Sequence, residues 1–330
     1  RMDIKEISLN MYSYGYSAGF IETDEPRDRL FSLESLIQES QNLGLAGIEF
    51  PFDRYFTERN LSSAVTFLRD LIEKKIKFFL DFENFDPGFL IKIIPILASM
   101  EIDVARIKMD QSGKTIYGGN RFMMTNFDET KELFISKLQK INPYLKEYNF
   151  TLAIENHQDL HSKELMEIIE KVNTEHLGIN WDVGNSISCI DSPDSFYQNT
   201  REFIRNVHLK DYKVFRSEEG IRLVRCPIGS GYVDYKKIFN LLDINNEIET
   251  FSVELGAQIS RECLLNKKSY WDAYSHLPLS KKSFLDYVNS IISEETKSYS
   301  CYELGLDNQQ LFQSELDDVY TSVVNLNSLA

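Results

Sequence analysis

The chain has 330 residues, 42% of them hydrophobic, which is enough for one large α/β domain with extensions. Its 36 Lys and Arg residues against 51 Asp and Glu residues give a formal net charge of −15, which argues against a nucleic-acid partner. No run of about 18 apolar residues predicts a membrane span.

Short apolar runs alternate with helical periodicity along most of the chain, in the order expected of strand-then-helix units. The predicted strands cover residues 4–9, 48–50, 76–82, 104–108, 151–155, 177–182, 207–211 and 250–254. The predicted helices cover residues 30–43, 61–75, 89–100, 128–148, 162–172, 196–205 and 235–243. Residues 110–121 and 212–233 are rich in turn residues, which predicts two long loops.

Eight such units between about residue 4 and residue 290 predict an α/β protein with a (β/α)8 TIM barrel rather than a doubly wound sheet. The short apolar runs and helical connections are typical of parallel strands buried on both faces. We therefore assign residues 1–290 to a catalytic barrel domain. Residues 291–330 are expected to form a C-terminal helical extension that packs on the barrel or on a partner subunit.

Four consecutive predicted strands carry a potential metal ligand at the end where a TIM barrel places its active site. These residues are Glu155, Asp182, His208 and Glu254. Three carboxylates and one imidazole suit Mn²⁺, Mg²⁺ or Co²⁺ better than a thiolate site would. An octahedral ion with four protein ligands keeps two positions for water or for two substrate oxygens, and can stabilise an enediolate.

Strand alternation extends the candidate site beyond these ligands. His157 lies two residues after Glu155 and is expected on the same inward face, where it could act as a general acid or base. Lys210 stands in the same relation to His208. Lys108 and Glu49 end the fourth and second predicted strands. We interpret Lys210, Lys108 and Glu49 as substrate-binding residues.

Several segments resemble those of the xylose-isomerase-like TIM barrels, the sugar phosphate isomerase/epimerase superfamily. They read LAIENH, INWDVGNS, VHLKDY, PIGSGYVDY and FSVELG, and the resemblance covers roughly residues 4–290. It implies that Glu155, Asp182, His208 and Glu254 are the metal ligands. It also implies that Glu155 and Glu254 are catalytic, since the matching residues of ketose 3-epimerases move the proton on opposite faces of one carbon.

Two further residues follow from the resemblance. The loop that holds Arg225 is one in which the family often brings an arginine to the substrate. Asn185 occupies the position where ketose epimerases typically have a sugar-contacting histidine, and an amide can hydrogen-bond a hydroxyl but cannot transfer a proton at neutral pH. Both are predicted substrate-binding residues, and Asn185 is a departure from plain ketose 3-epimerases.

The sequence thus predicts a divalent-metal-dependent isomerase or epimerase of a sugar or sugar derivative. Proton abstraction next to a carbonyl would proceed through a metal-stabilised enediolate. The alternative is a lyase acting on a keto sugar, similar to inosose dehydratases or C-glycoside deglycosidases, because both chemistries begin with the same proton abstraction. An enzyme like endonuclease IV is disfavoured by the five histidines and the acidic charge. A non-catalytic binding barrel is disfavoured by the complete ligand set.

One divalent ion is the expected cofactor, Mn²⁺ being favoured over Mg²⁺, Co²⁺ or Zn²⁺. The expected partners are a small sugar substrate and possible further subunits, as a homo-oligomer or with a small partner protein, with neither nucleic acid nor membrane. Four widely spaced cysteines favour a reducing compartment, and the start of the chain lacks a secretory signal. We therefore expect a cytoplasmic protein whose native start is Met2.

Overall fold

Eight parallel strands close into a barrel in the computed structural model, which describes residues 3–21, 31–109, 121, 126–242, 248–296 and 299–329. The described residues form eleven strands in all, which are β1 (Ile7–Asn10), β2 (Gly47–Pro51), β3 (Lys77–Asp81), β4 (Val104–Ile107), β5 (Thr151–Glu155), β6 (Leu177–Asp182), β7 (Ile204–Leu209), β8 (Asp211–Ser217), β9 (Gly220–Cys226), β10 (Thr250–Val253) and β11 (Arg261–Cys263). The barrel order is β1-β10-β7-β6-β5-β4-β3-β2, and β11, β9 and β8 form a separate sheet. The predicted (β/α)8 fold is confirmed.

Helices connect most of the barrel strands, and within the described residues three more follow the last barrel strand. They are α1 (Leu33–Asn42), α2 (Phe52–Tyr55), α3 (Leu61–Glu73), α4 (Pro87–Ala98), α5 (Phe127–Tyr148), α6 (Ser162–Val172), α7 (Pro193–Thr200), α8 (Tyr235–Leu242), α9 (Lys268–Asp272), α10 (Lys281–Ser290) and α11 (Asn308–Leu329). The predicted loop at residues 110–121 lies outside the described residues, apart from Arg121.

Alternation along each barrel strand separates a packed outer layer from a polar interior. In β6, the fully buried Trp181 stacks on Phe196 of α7 with ring centroids 5.7 Å apart. The neighbouring strand positions, Asn180 and Asp182, are also buried; Asn180 accepts from Asn206 of β7, and Asp182 accepts from Lys210, which directly follows β7. Apolar residues therefore hold the strands to the helices, while polar side chains occupy the barrel interior.

The predicted loop at residues 212–233 is wrong over residues 212–226, because β8 and β9 pair there as an antiparallel hairpin. Tyr212, Val214, Ile221 and Leu223 are buried in a second hydrophobic cluster that also contains residues of α9 and α10. Charged residues interrupt both strands, at Lys213, Arg216, Arg222 and Arg225, and obscured this pattern in the sequence. The predicted turn residues Pro227, Gly229 and Gly231 do lie in a loop, after β9.

The C-terminal helix α11 packs on the barrel. Its residues Val319, Val323 and Leu326 are buried in the main hydrophobic core. The buried Glu315 carboxylate accepts hydrogen bonds from the backbone N–H groups of Tyr16 and Ser17, at 3.1 and 2.8 Å. The end of the chain is thereby tied to the segment that follows β1.

Helices with the length and apolar character needed to cross a membrane are absent from the described part of the chain.

Candidate metal centre and substrate cavity

Four buried side chains from neighbouring strands converge at one end of the barrel. Glu155 ends β5, Asp182 ends β6, His208 lies in β7 and Glu254 directly follows β10. The register pairs Asp182 with His208 on adjacent strands, and the Glu254 backbone N–H continues the ladder to Leu209. One potential ligand atom from each of the four lies within 4.8 Å of those of the others. The structure therefore brings together all four predicted ligands.

The His208 imidazole is oriented by Glu49 behind it. Its Nε2 atom lies 2.6 Å from Oε1 of Glu49, whereas its Nδ1 atom lies 3.6 Å from Oε1 of Glu155 and 4.0 Å from Oε2 of Glu254. Although burial opposes the charge, the Glu49 and Glu155 carboxylates raise the pKa of His208 well above its usual value. Nδ1 is buried without a hydrogen-bond partner, so it is the atom that faces the centre of the cluster.

A buried arginine binds one oxygen of Glu155. Arg106 of β4 donates from Nε and Nη2 to Oε2 of Glu155. Burial opposes ionisation, but Arg106 and then His208 hold the pKa of Glu155 well below its ordinary value. Oε1 of Glu155 is left facing His208, so this carboxylate is ionised and offers one oxygen to the cluster.

Lys210 bridges the other two carboxylates. Its Nζ atom lies 2.6 Å from Oδ2 of Asp182 and 2.5 Å from Oε2 of Glu254. Burial opposes its charge, yet the two carboxylates raise its pKa. Burial and the nearby Glu254 and Glu155 charges raise the pKa of Asp182 to about 7, despite the opposing effect of Lys210. The cluster is thus a place where further positive charge is favourable.

The donor set fits a hard divalent cation. Three carboxylates and an imidazole nitrogen are ligands that Mg²⁺ and Mn²⁺ accept in proteins. The Nδ1 atom of His208 supports this fit, because it has no hydrogen-bond partner and lies 3.6 Å and 4.0 Å from oxygens of Glu155 and Glu254. The Glu49 carboxylate on the opposite ring nitrogen is the usual outer partner of a metal-binding histidine.

The cluster opens into a cavity of about 630 Å³. Of the predicted residues, Glu155, Glu254, His157, Lys210 and Lys108 line it. Burial, and then the nearby Lys108 charge, hold the pKa of His157 well below its usual value, so the ring is neutral at pH 7.

Asn185 and Glu49 are predicted substrate-binding residues, but neither of them lines this cavity. Asn185 is fully buried, its Oδ1 accepting from Gln158 at 3.1 Å and from the Tyr212 hydroxyl at 3.1 Å. Its Nδ2 donates to the backbone carbonyl of Asn156 at 3.2 Å. Glu49 is fully buried behind His208. Asn185 therefore holds the side chains of Gln158 and Tyr212 in place, and Glu49 orients the His208 ring.

Arg225 also lies away from the cavity. Its Nε donates to Oδ2 of Asp318 at 3.2 Å and its Nη2 to the backbone carbonyl of Ser13 at 3.3 Å. These partners belong to α11 and to the segment after β1. The resemblance predicts Arg225 at the substrate, but in the structure its guanidinium anchors the C-terminal helix instead.

Three site residues escaped the sequence reasoning. Arg106 shares the inward face of β4 with Lys108, so alternation could have found it. Asn156 brackets Asp182: its Oδ1 accepts from the Asp182 N–H at 2.7 Å, and its Nδ2 donates to the Asp182 carbonyl at 2.9 Å. Arg261 reaches the cavity from β11, a strand that the sequence did not reveal.

Comparison with known proteins agrees with this architecture. The sequence profile of the xylose isomerase-like TIM barrel family matches residues 89–267, more than half of the chain. The chain belongs to the xylose isomerase-like TIM barrel family. The matched segment of this family member includes Glu155, Asp182, His208 and Glu254. The predicted resemblance is thus confirmed.

Individual relatives of this xylose isomerase-like barrel are distant. The 3-oxo-isoapionate decarboxylase of Pectobacterium atrosepticum is 24% identical over 164 residues, which are 47% of this chain and 60% of that protein. The match therefore spans less than two thirds of that relative's length.

Solved structures share the fold. A xylose isomerase-like TIM barrel protein from Mycobacterium smegmatis, in complex with magnesium, superposes with a TM-score of 0.55 at 14% identity, over 87% of this chain and 98% of that chain. The 3-keto-D-glucoside 4-epimerase of E. coli does so with a TM-score of 0.52 at 12% identity, over 86% and 99%.

Proposed function

We propose that this protein is a divalent-metal-dependent isomerase or epimerase of a sugar or sugar derivative. The observation that carries the proposal is the convergence of Glu155, Asp182, His208 and Glu254 on one point, with Glu155 and Glu254 also lining the cavity. These four residues would hold the ion, most suitably Mn²⁺ or Mg²⁺. Such an ion would polarise a substrate carbonyl and stabilise the negative charge that develops on its oxygen.

Glu155 and Glu254 are the proposed proton-transfer groups. Both line the cavity, and each has a cation bound to one oxygen, Arg106 on Glu155 and Lys210 on Glu254. These cations favour the ionised carboxylates, as a general base requires. Two carboxylates on opposite sides of one carbon can remove a proton from one face and return it to the other. His157, neutral in the same cavity, is a third candidate for proton transfer to a substrate oxygen.

A lyase acting on a keto sugar is the second candidate. The similarity to the 3-oxo-isoapionate decarboxylase of Pectobacterium atrosepticum favours it, since that protein's name describes cleavage of an oxo sugar acid. Both candidates pass through an enolate next to the carbonyl, which forms by loss of a proton in the isomerase and by loss of a proton or of carbon dioxide in the lyase. They differ in what leaves the substrate afterwards.

Incubation of ketoses and 3-keto glycosides with the Mn²⁺-loaded protein in deuterium oxide tests the proposal. We expect deuterium at the carbon next to the carbonyl, with a changed configuration and no lost group, and we expect removal of the metal with a chelator to stop exchange. Loss of water, carbon dioxide or an aglycone would favour the lyase. Exchange that persists without divalent metal would contradict the proposed site.

Glu49→Gln should weaken Mn²⁺ binding by about 10- to 100-fold, as replacement of partners behind metal ligands typically does. The amide keeps the shape of the side chain but removes the charge that orients His208. Titration calorimetry with Mn²⁺ measures the affinity, and Glu73→Gln on the exposed side of α3 is the matched control. An unchanged affinity in Glu49→Gln would show that Glu49 does not support the metal site.

A further inference from the structure

The cavity has a second wall, formed by Lys108, His157 and Arg261, which the metal centre does not use. Lys108 follows β4, His157 follows β5, and Arg261 begins β11. Arg261 carries a permanent positive charge, and Lys108 carries a positive charge when its amine is protonated. The second wall therefore presents cationic groups to whatever occupies the cavity.

Arg261 is buried, and no residue that the structure describes supplies an anion to pair with it. Only 3% of the surface of this residue is exposed, and its Nε atom has no hydrogen-bond partner. Its Nη1 atom lies 3.5 Å from Oδ1 of Asn185, and its guanidinium carbon lies 6.0 Å from the centroid of the Tyr212 ring. Neither contact neutralises the charge. A buried cation of this kind is costly unless an anion or water satisfies it.

Other cations of the cavity differ in this respect. Arg54 is paired with Glu83, Arg106 with Glu155, and Lys210 with Asp182 and Glu254. Among the described residues, no carboxylate forms an ion pair with Lys108 or Arg261. Burial and the neighbouring Arg106 charge lower the pKa of Lys108, which is the effect expected of a cation that lacks a partner.

We propose that the second wall binds an anionic group of the substrate, so that the enzyme acts on an acidic keto sugar rather than a neutral one. This inference rests on the proposed function, since it names the substrate class of the same cavity. Arg261 would donate two parallel hydrogen bonds to the anion, and Lys108 would add a second charge.

A carboxylate fits this wall better than a phosphate. Phosphate sites usually use backbone N–H groups of glycine-rich turns. The glycine-rich turn of this chain is already occupied: the N–H groups of Gly229 and Gly231 donate to Oδ2 of Asp211, at 2.9 and 3.0 Å. The planar guanidinium of Arg261 can pair with either anion, so the missing backbone donors of the occupied turn are what favour the carboxylate. The sugar acid is therefore the substrate class we infer.

Binding to the full-length protein tests the inference without requiring turnover. Titration calorimetry with D-glucuronate and D-galacturonate, the corresponding neutral hexoses and the hexose 6-phosphates compares the three chemistries. We expect the uronates to bind about 10- to 100-fold more tightly than the neutral sugars, the range for a charged hydrogen-bonded pair. Arg261→Gln should abolish this preference. Arg222→Gln, on the neighbouring strand β9 and paired with Glu262, should keep it.

The outcomes separate this inference from the proposed function. Equal binding of uronates and neutral hexoses, or a preference that survives Arg261→Gln, would overturn the anion site even if deuterium exchange succeeds. Tighter binding of the phosphates would overturn the assignment of a carboxylate. A uronate preference that depends on Arg261, in a protein without exchange activity, would support the anion site and reject the isomerase.

Discussion

Glu254→Gln is expected to slow deuterium exchange at the substrate carbon by about 100- to 10,000-fold, the range for loss of a general acid or base. The amide cannot accept the proton, and it removes one of the negative charges that Lys210 and the proposed ion require. Exchange followed by nuclear magnetic resonance measures the rate, and elemental analysis of the same sample measures bound metal. Retained metal with lost exchange would assign Glu254 to proton transfer.

The matched control is Glu262→Gln, which changes a carboxylate on β11 that pairs with Arg222 outside the cavity. It should leave exchange near the wild-type rate. If Glu254→Gln also kept a rate within a few-fold of wild type, Glu254 would not be a proton-transfer residue.

Asp211→Ala is expected to destabilise the fold by at least about 3 kcal/mol, since each unsatisfied buried donor costs about 1–3 kcal/mol. The buried carboxylate accepts from the backbone N–H groups of Tyr212, Gly229, Gly231 and Val233, at 2.9–3.2 Å. A Cβ atom on Gly231 would lie 2.2 Å from Oδ1 of Asp211, so the turn closes directly around the carboxylate. Urea unfolding followed by circular dichroism measures the loss.

The control for this variant is Asp286→Ala, which removes an exposed carboxylate that pairs with Lys282 within α10. Exposed pairs of this type contribute little, so its unfolding midpoint should stay close to that of wild type. An Asp211→Ala protein as stable as the control would show that the turn at residues 229–233 does not depend on this carboxylate.

Much of the barrel was predictable because strand and helix periods differ and are both visible in the sequence. The acids that end β5 and β6 stand directly after apolar runs, and alternation then placed His157 and Lys210 on the cavity side with Glu155. The hairpin of β8 and β9 was missed because charged residues interrupt the apolar residues of both strands and because turn residues follow closely. Local pattern alone did not distinguish it from a loop.

The failures at the site have a common physical cause. Arg225 bonds to Asp318 and Ser13, which are distant in sequence, and Asn185 is enclosed by Gln158 and Tyr212. Such partners depend on tertiary packing rather than on strand period. Glu49 does face inward as its strand position predicts, but its depth below the cavity, against His208, follows from the register of the whole barrel.

A crystal soaked in Mn²⁺, with anomalous diffraction measured at the manganese edge, tests the central claim most directly. We predict one strong anomalous peak bonded to Glu155, Asp182, Glu254 and the Nδ1 atom of His208, close to the distances of about 2.0–2.2 Å that small divalent ions show. No peak among these four side chains, or a peak bound elsewhere while they remain paired to Arg106 and Lys210, would contradict it.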